Sequence, residues 1–280
     1  MKNEKLSGER MFNSKVKIAI LGCGNLGSSI AKGLKKSKLI PEKNIYLTTK
    51  HPEMLGNIRE MGFKADVPNE EAVENCKILI FAVTPQQLNG LIDEVKGLID
   101  PKKHIVISVV TGASIKKIKE HLGVDVPVIR VMPNTAISIQ ESMSCVCAEK
   151  KDNDALEYAI EIFNKLGKTI VIDEDLMIPA TALCACGTAF FLRAVRAASQ
   201  GGVEIGFHAE QALMMAAQTA KGAAAMLLET GKHPESEVDR VTTPKGITIS
   251  GLNQMEHNGF SSAMIKGIVT SADKAANLYS

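Results

Sequence analysis

Tryptophan is absent from the 280 residues, and Tyr and Phe number three and eight. A core must then rely on aliphatic side chains, Ala and the twelve Met, and the lysines are not interleaved with stacking aromatics as in a single-strand binding surface. A surplus of either charge is missing too. The 33 basic and 31 acidic residues leave a net charge of +2, with the lysines scattered along the chain. No basic field of the kind that draws in a phosphate backbone is present, so a nucleic-acid partner is not expected. The start, Met1 to Asn13, lacks the apolar segment of a signal peptide and is read as a short disordered leader over residues 1–14. Leu176–Val203 is the least charged stretch and contains no acid, but Arg193 and Arg196 interrupt it. It is read as too short for a membrane span. The six cysteines (Cys23, Cys76, Cys145, Cys147, Cys184 and Cys186) come without a secretory signal and are expected as reduced thiols of a cytoplasmic protein. Neither Cys-x-Cys pair has a second Cys or His pair at zinc-site spacing, so no metal site is expected.

What is present is a change of periodicity along the chain. Val16–Leu21, Asn44–Thr48, Lys77–Val83, His104–Val110 and Val126–Met132 are short runs rich in Ile and Val. Near-continuous apolarity of this kind predicts strands of a parallel sheet covered on both faces. Helical patterns separate them at Asn25–Ser37, Glu70–Asn75, Gln86–Leu98 and Ser114–Leu122. Two later strands, Ser144–Ala148 and Lys168–Ile172, flank a helix at Ala155–Leu166. The alternation predicts a doubly wound, mostly parallel α/β sheet over residues 15–173. After Asp173 the strand signal fades. Thr181–Gln200, Ala209–Glu229, Gly246–Asn258 and Ser261–Leu278 are helical patterns rich in Ala and Met, predicting an all-α domain over residues 174–280. The helix around Phe190 is apolar over much of its circumference and needs partners on several sides, which points to a dimer.

The first strand-to-helix turn reads Gly22-Cys23-Gly24-Asn25-Leu26-Gly27. This G-x-G-x-x-G, between a strand and a helix, is the dinucleotide fingerprint of a Rossmann domain in its required context. Gly22 allows the tight turn, Gly24 admits the pyrophosphate, and Gly27 lets helix and strand pack closely. An NAD enzyme carries an acid about 20 residues further on to receive the ribose hydroxyls. Here the second strand ends Thr48-Thr49-Lys50-His51, without a carboxylate to repel a 2′-phosphate, which favours NADPH while leaving NAD possible. Ala82-Val83-Thr84-Pro85, at the end of a buried strand, is expected to border the nicotinamide half. Pro133-Asn134 reads as a turn after another strand, either structural or functional.

Val241-Thr242-Thr243-Pro244-Lys245-Gly246-Ile247-Thr248 is a hydroxyl-rich turn leading into a helix. Its hydroxyls and the free N–H groups of the helix start would suit a small carboxylate. The same residues could equally form an ordinary N-capped helix start.

With this segment the chain, from Lys15 to Leu278, resembles the pyrroline-5-carboxylate reductase family. The resemblance rests on the fingerprint turn, Ala82–Gln86, Arg130–Thr135, the Gly-Ala-Ala-x-Met-Leu run at Gly222–Leu227, and the Val-Thr-x-Pro-x-Gly-x-Thr signature at Val241–Thr248. It implies NADPH- or NADH-dependent reduction of a cyclic imine to L-proline by an obligate homodimer, often assembled into larger, decamer-like rings. Carried over by position, it implies that the Thr248 hydroxyl sits by the substrate nitrogen as the catalytic group. Thr243, Gly246 and Ile247 fall where the substrate carboxylate is held, and Asn69 falls beside the adenosine ribose. There are departures. Cys184-Ala185-Cys186-Gly187-Thr188-Ala189 stands where the family has Ser-Gly-Ser-Gly-Pro-Ala, Lys245 where it has Gly, and Ile247 where it often has Thr or Ala. Thr84, Ala136 and Ser142 replace a usual Lys, Pro and Gly. These leave open a reductase of another imino acid, or a non-catalytic dinucleotide-binding paralogue. A β-hydroxyacid dehydrogenase would need a lysine on its first long second-domain helix, and no Lys occurs between Lys168 and Lys221.

Overall fold

The structure, a computed structural model, describes residues 16–278. The leader expected over residues 1–14 lies outside the described residues. Within them, strands β1 (Ile18–Leu21), β2 (Ile45–Thr48), β3 (Lys64–Ala65), β4 (Ile78–Phe81), β5 (Ile105–Ser108), β6 (Val128–Met132), β7 (Ser142–Cys147) and β8 (Gly167–Val171) form one sheet. Its order is β3-β2-β1-β4-β5-β6-β7-β8. The pairs are parallel except β6 with β7, where Arg130 faces Cys147. β1 pairs in register with both β2 and β4, Ile18 lying opposite Ile45 on one side and Ile78 on the other. The chain therefore leaves β1 in one direction, returns, and continues on the other side, which opens a crevice outside the carboxyl ends of β1 and β4.

The near-continuous apolar runs follow from burial on both faces. Ile18, Ile20, Ile45, Leu47, Ile78 and Ile80 pack with Ile30 and Leu34 of α1 (Asn25–Ser37) in one core. The alternate residues Ala19, Leu21, Leu79 and Phe81 enter a second core on the other face. That core is completed by Ala72 and Val73 of α2 (Asn69–Asn75), Leu88, Leu91, Ile92 and Val95 of α3 (Pro85–Val95), and Ile115, Ile118 and Leu122 of α4 (Ile115–Leu122). α5 (Asn153–Asn164) contributes Ala159, Ile162 and Phe163 to the first core. Fully burying one such side chain is worth roughly 1.5–3 kcal/mol. Local signals set the ends. Ser114 accepts the Lys117 N–H at 3.2 Å before α4, and Gly123 closes it in the left-handed region.

Beyond β8 come α6 (Met177–Ala180), a π-helical turn at Thr181–Cys186, then α7 (Gly187–Glu204), α8 (Ala209–Thr230), α9 (Pro234–Val241), α10 (Ile247–His257) and α11 (Phe260–Leu278). Contacts divide the chain into one compact unit that runs through Ala185 and takes in the end of α11 from Lys274, and a second from Cys186 to Asp273. The division falls later than the change of pattern at Asp173. The reason is local: Met177 and Ala180 are buried in the second core of the sheet, and Glu174 accepts from the Ile115 N–H and from Arg130. In the second unit α7 and α8 pair extensively, and a Cβ on Gly202 would lie 3.0 Å from that of Ala212.

One expectation is corrected. The run Glu174–Glu204 is helical for 31 residues and is long and apolar enough to cross a membrane, by length and composition alone. Arg193 and Arg196 shorten the uncharged runs without breaking the helix, so length does not exclude a span.

Candidate active site

The fingerprint turn is built by backbone geometry. Gly22 has φ +100°, and a Cβ there would lie 2.5 Å from Val83 Cγ1. Its N–H donates to the Thr48 carbonyl at 3.2 Å, and the Cys23 N–H donates to the same oxygen at 2.7 Å, fastening the turn to the end of β2. A Cβ on Gly27 would meet the Gly22 carbonyl oxygen at 2.3 Å, so Gly27 lies under the turn and sets how closely α1 approaches it. Gly24 differs: a Cβ there would meet nothing within 4 Å. The protein itself does not demand glycine at that position; a ligand close to the backbone would. Gly24 is also the N-cap of α1, with no side chain capping it and no acid in the first turn, so the helix N–H groups are available to phosphate oxygens.

These residues line a cleft of about 640 Å³ at the ends of β1, β2 and β4. The structure brings to it Gly22, Gly24, Asn25 and Leu26 from the first turn, Thr49 and Lys50 after β2, and Asn69 at the start of α2. Ala82, Val83, Thr84 and Pro85 after β4 complete it. Gly27 is the expected cofactor residue that does not line it. At the head of α3 the Gln87 side-chain Oε1 accepts from the Thr84 N–H and hydroxyl at 3.2 and 3.0 Å, which fixes the turn. Volume, glycine floor and open helix start together fit a dinucleotide.

Glu94 belongs to the site without a local sequence motif to mark it. Thr49-Lys50-His51, directly after β2, contains no acid, but α3 delivers one from the side: Gln87, Leu91 and Glu94, at helical spacing, all line the cleft. Glu94 accepts from Lys50 Nζ at 2.7 Å and from Asn69 Nδ2 at 2.6 Å. The hydrogen bond from Lys50 is the main cause that holds the Glu94 carboxyl below its usual range, against a smaller opposing effect of burial. The expectation that no carboxylate faces this end is therefore corrected. Helical periodicity put Glu94 beside Leu91, but only the packing of α3 on the sheet sets it against Lys50.

Asn134 is a structural cap. Its Oδ1 accepts the Ala136 N–H at 3.0 Å and its Nδ2 donates to the Cys184 carbonyl at 3.2 Å, tying the end of β6 to the π-helical turn. Cys184 Sγ also lies 3.8 Å from Cys145 Sγ, and this contact pulls the Cys184 thiol down and pushes that of Cys145 up. Among the described residues no three of His, Cys, Asp and Glu come together as a metal site.

Thr243, Gly246, Ile247 and Thr248 belong to the second unit. The Gly246 N–H donates to the Thr243 carbonyl at 2.8 Å, Pro244 occupies the second position of the turn, and Lys245 the third with φ +60°. This is the pattern of a type II turn. A Cβ on Gly246 would meet Thr243 Oγ1 at 2.5 Å, so the position requires glycine. Gly246 is also the N-cap of α10, and no side chain caps it. The ordinary N-capped start is thus not what forms here. The first N–H groups of α10, from Ile247 onward, are left for another acceptor, and Ile247 and Thr248 are exposed.

Comparison with known proteins adds to this geometry. A family model described as pyrroline-5-carboxylate reductase dimerisation matches residues 174–278. One described as NADP oxidoreductase, coenzyme F420-dependent, matches residues 17–112. Pyrroline-5-carboxylate reductase 1 of Dictyostelium discoideum is 55% identical over 274 residues, covering 94% of this chain and 50% of that protein, so the chain spans half its length. Pyrroline-5-carboxylate reductase 2 of the same organism is 51% identical over 275 residues, 92% of each chain. The crystal structure of Plasmodium falciparum pyrroline carboxylate reductase with NADP bound superposes with a TM-score of 0.83 at 26% identity, over 95% of this chain and 99% of that one.

Proposed function

The chain belongs to the pyrroline-5-carboxylate reductase family, and on that premise we propose that it reduces 1-pyrroline-5-carboxylate to L-proline, with NADPH as reductant and NADH as an alternative. The observation that carries the proposal is the glycine-floored cleft at the ends of β1, β2 and β4. Gly22, Gly24, Asn25 and Leu26 would surround the pyrophosphate. Thr49, Lys50 and Asn69 would hold the adenosine ribose, and Ala82 to Pro85 would border the nicotinamide. When bound, the reduced dinucleotide supplies the hydride.

The second unit's residues act on the substrate. The Thr248 hydroxyl hydrogen-bonds the ring nitrogen. Thr243, Gly246 and Ile247 hold the carboxylate; the Gly246 N–H is already taken by the turn, so the donors are the first amides of α10. The protonated imine is electrophilic at carbon. The hydride adds there, the C=N π pair passes to nitrogen, and the product is a secondary amine. Such chemistry needs the carbon held about 3–3.5 Å from the donor and the developing charges matched. Residues 15–173 carry the dinucleotide, and residues 174–280 dimerise and bind the imino acid. The protein works as a cytoplasmic homodimer, extending to a decamer-like ring, with neither nucleic acid nor membrane as partner.

Loss of NADPH absorbance with pyrroline-5-carboxylate and with a panel of other cyclic imino acids tests this. The expected kcat/KM is at least about tenfold higher for pyrroline-5-carboxylate, roughly what 1.4 kcal/mol of discrimination gives. A higher value for another imino acid reassigns the substrate. NADPH binding without turnover of any of them marks a non-catalytic paralogue.

A further inference from the structure

At the ribose end of the cleft, each basic side chain that β2 offers to a 2′-phosphate already has a carboxylate beside it. Lys50 Nζ lies 2.7 Å from Glu94 Oε1, and His51 Nδ1 lies 3.2 Å from Glu53 Oε1. Glu70, on α2, also lines the cleft. Positive charge therefore does not accumulate where a dianion would have to sit. Glu94 does more than neutralise Lys50. Its other oxygen accepts from Asn69 Nδ2 at 2.6 Å, and the carboxamide is thereby held with Oδ1 buried and without a hydrogen-bond partner. Turning that amide over would set its oxygen against the carboxylate, so Glu94 dictates its orientation. A buried acceptor left unpaired is costly, and a ligand that engages Asn69 relieves it.

The Lys50–Glu94 pair is not a fixed structural bridge. Its side chains are 67% and 34% exposed, a setting in which ion pairs contribute little and exchange partners readily. A 2′-phosphate entering the site can recruit Lys50, but the carboxylate it displaces stays beside the new dianion. A ribose with a free 2′-hydroxyl meets no such repulsion, since a carboxylate accepts from hydroxyls. This is the role that an acid at the end of the second strand plays in NAD-binding sheets, here delivered from a helix.

We infer that Glu94 sets the cofactor specificity of this protein, weakening the grip of Lys50 on a 2′-phosphate so that the site takes both NADPH and NADH. The inference rests on the reading of the cleft as the dinucleotide site. Replacing the carboxylate with its neutral isostere shifts the site toward the phosphorylated cofactor. Dissociation constants for NADP⁺, NAD⁺ and 2′,5′-ADP, measured by calorimetry on the wild-type chain and on Glu94→Gln, test it without turnover. The expected result is that Glu94→Gln binds NADP⁺ and 2′,5′-ADP about five- to tenfold more tightly, since a like charge beside the phosphate is removed, while NAD⁺ is bound no more tightly, since its ribose hydroxyls lose a charged acceptor. Lys50→Met provides an independent arm: NADP⁺ weakens at least about fivefold, and by more than NAD⁺ does, because the carboxylate then stands unopposed beside the phosphate. Parallel changes for NADP⁺ and NAD⁺, or weaker NADP⁺ binding in Glu94→Gln, overturn the inference alone. Failure of the wild-type chain to bind either dinucleotide overturns the cleft reading and the inference with it.

Discussion

Thr248 is the residue on which the proposed chemistry turns. It is exposed in the first turn of α10, immediately after a turn that uses up the Gly246 N–H. If its hydroxyl bonds the substrate nitrogen, Thr248→Val removes that bond and keeps the shape. A lost contact of this kind costs about 0.5–3 kcal/mol depending on charge, so kcat/KM is expected to fall roughly threefold to hundredfold. Cofactor affinity should hardly move. Thr242→Val is the control, because the Thr242 hydroxyl donates to the Asp239 carbonyl at 3.1 Å at the end of α9 and has no assigned substrate role. Steady-state kinetics on both variants, with NADPH binding measured separately, decides the matter; wild-type kcat/KM in Thr248→Val places the nitrogen elsewhere. At this scale the sequence was legible where function depends on backbone. Gly22, Gly24 and Gly27 reveal themselves because each lacks a Cβ for a different local reason. Glu94 did not, because its role depends on which surface of α3 meets Lys50 and Asn69, and nothing within one element encodes that.

Among the elements, the Thr243–Gly246 turn carries a visible strain. Lys245 stands at φ +60° where the resembled family has glycine. An L-residue in the left-handed region costs about 1–2 kcal/mol, and glycine recovers that less roughly 0.4–1 kcal/mol of unfolded-state entropy. Lys245→Gly is therefore expected to raise the melting temperature by about 1–3 °C, read by calorimetry; a lower melting temperature would show that the Lys245 side chain makes a stabilising contact. The strands could be read from sequence because alternate residues feed two cores, leaving each strand apolar throughout. Short or broken elements were not legible in this way. β3 is two residues long, too short for any period to register. The helical turns at Pro52–Met61 are broken by Gly56 at φ +46°, and α9 is a short polar helix behind Pro234. Each lacks the sustained periodicity on which pattern reading depends.

At the scale of the whole molecule, the second unit leaves large apolar side chains exposed, with Phe191 and Leu192 at 64% and Met214 at 65%. Apolar surface of this extent needs covering, and residues 174–278 match a dimerisation model. The same stretch contains the helical run that is long and apolar enough for a membrane. Light scattering at low micromolar concentration in detergent-free buffer separates the two outcomes: at least twice the chain mass is expected, whereas a monomer, or a chain that stays in solution only with detergent, contradicts the dimer. The central claim is narrower than assembly. It is that this chain moves a hydride from a dinucleotide held in the β1–β4 crevice to the carbon of a cyclic imine. The direct measurement is a single incubation of the protein with pyrroline-5-carboxylate and NADPH carrying deuterium at both positions of nicotinamide C4, followed by mass spectrometry of the product. The account predicts L-proline carrying one deuterium, at the carbon that had been the imine carbon. Unlabelled proline, or no proline from a chain that binds NADPH, would contradict it.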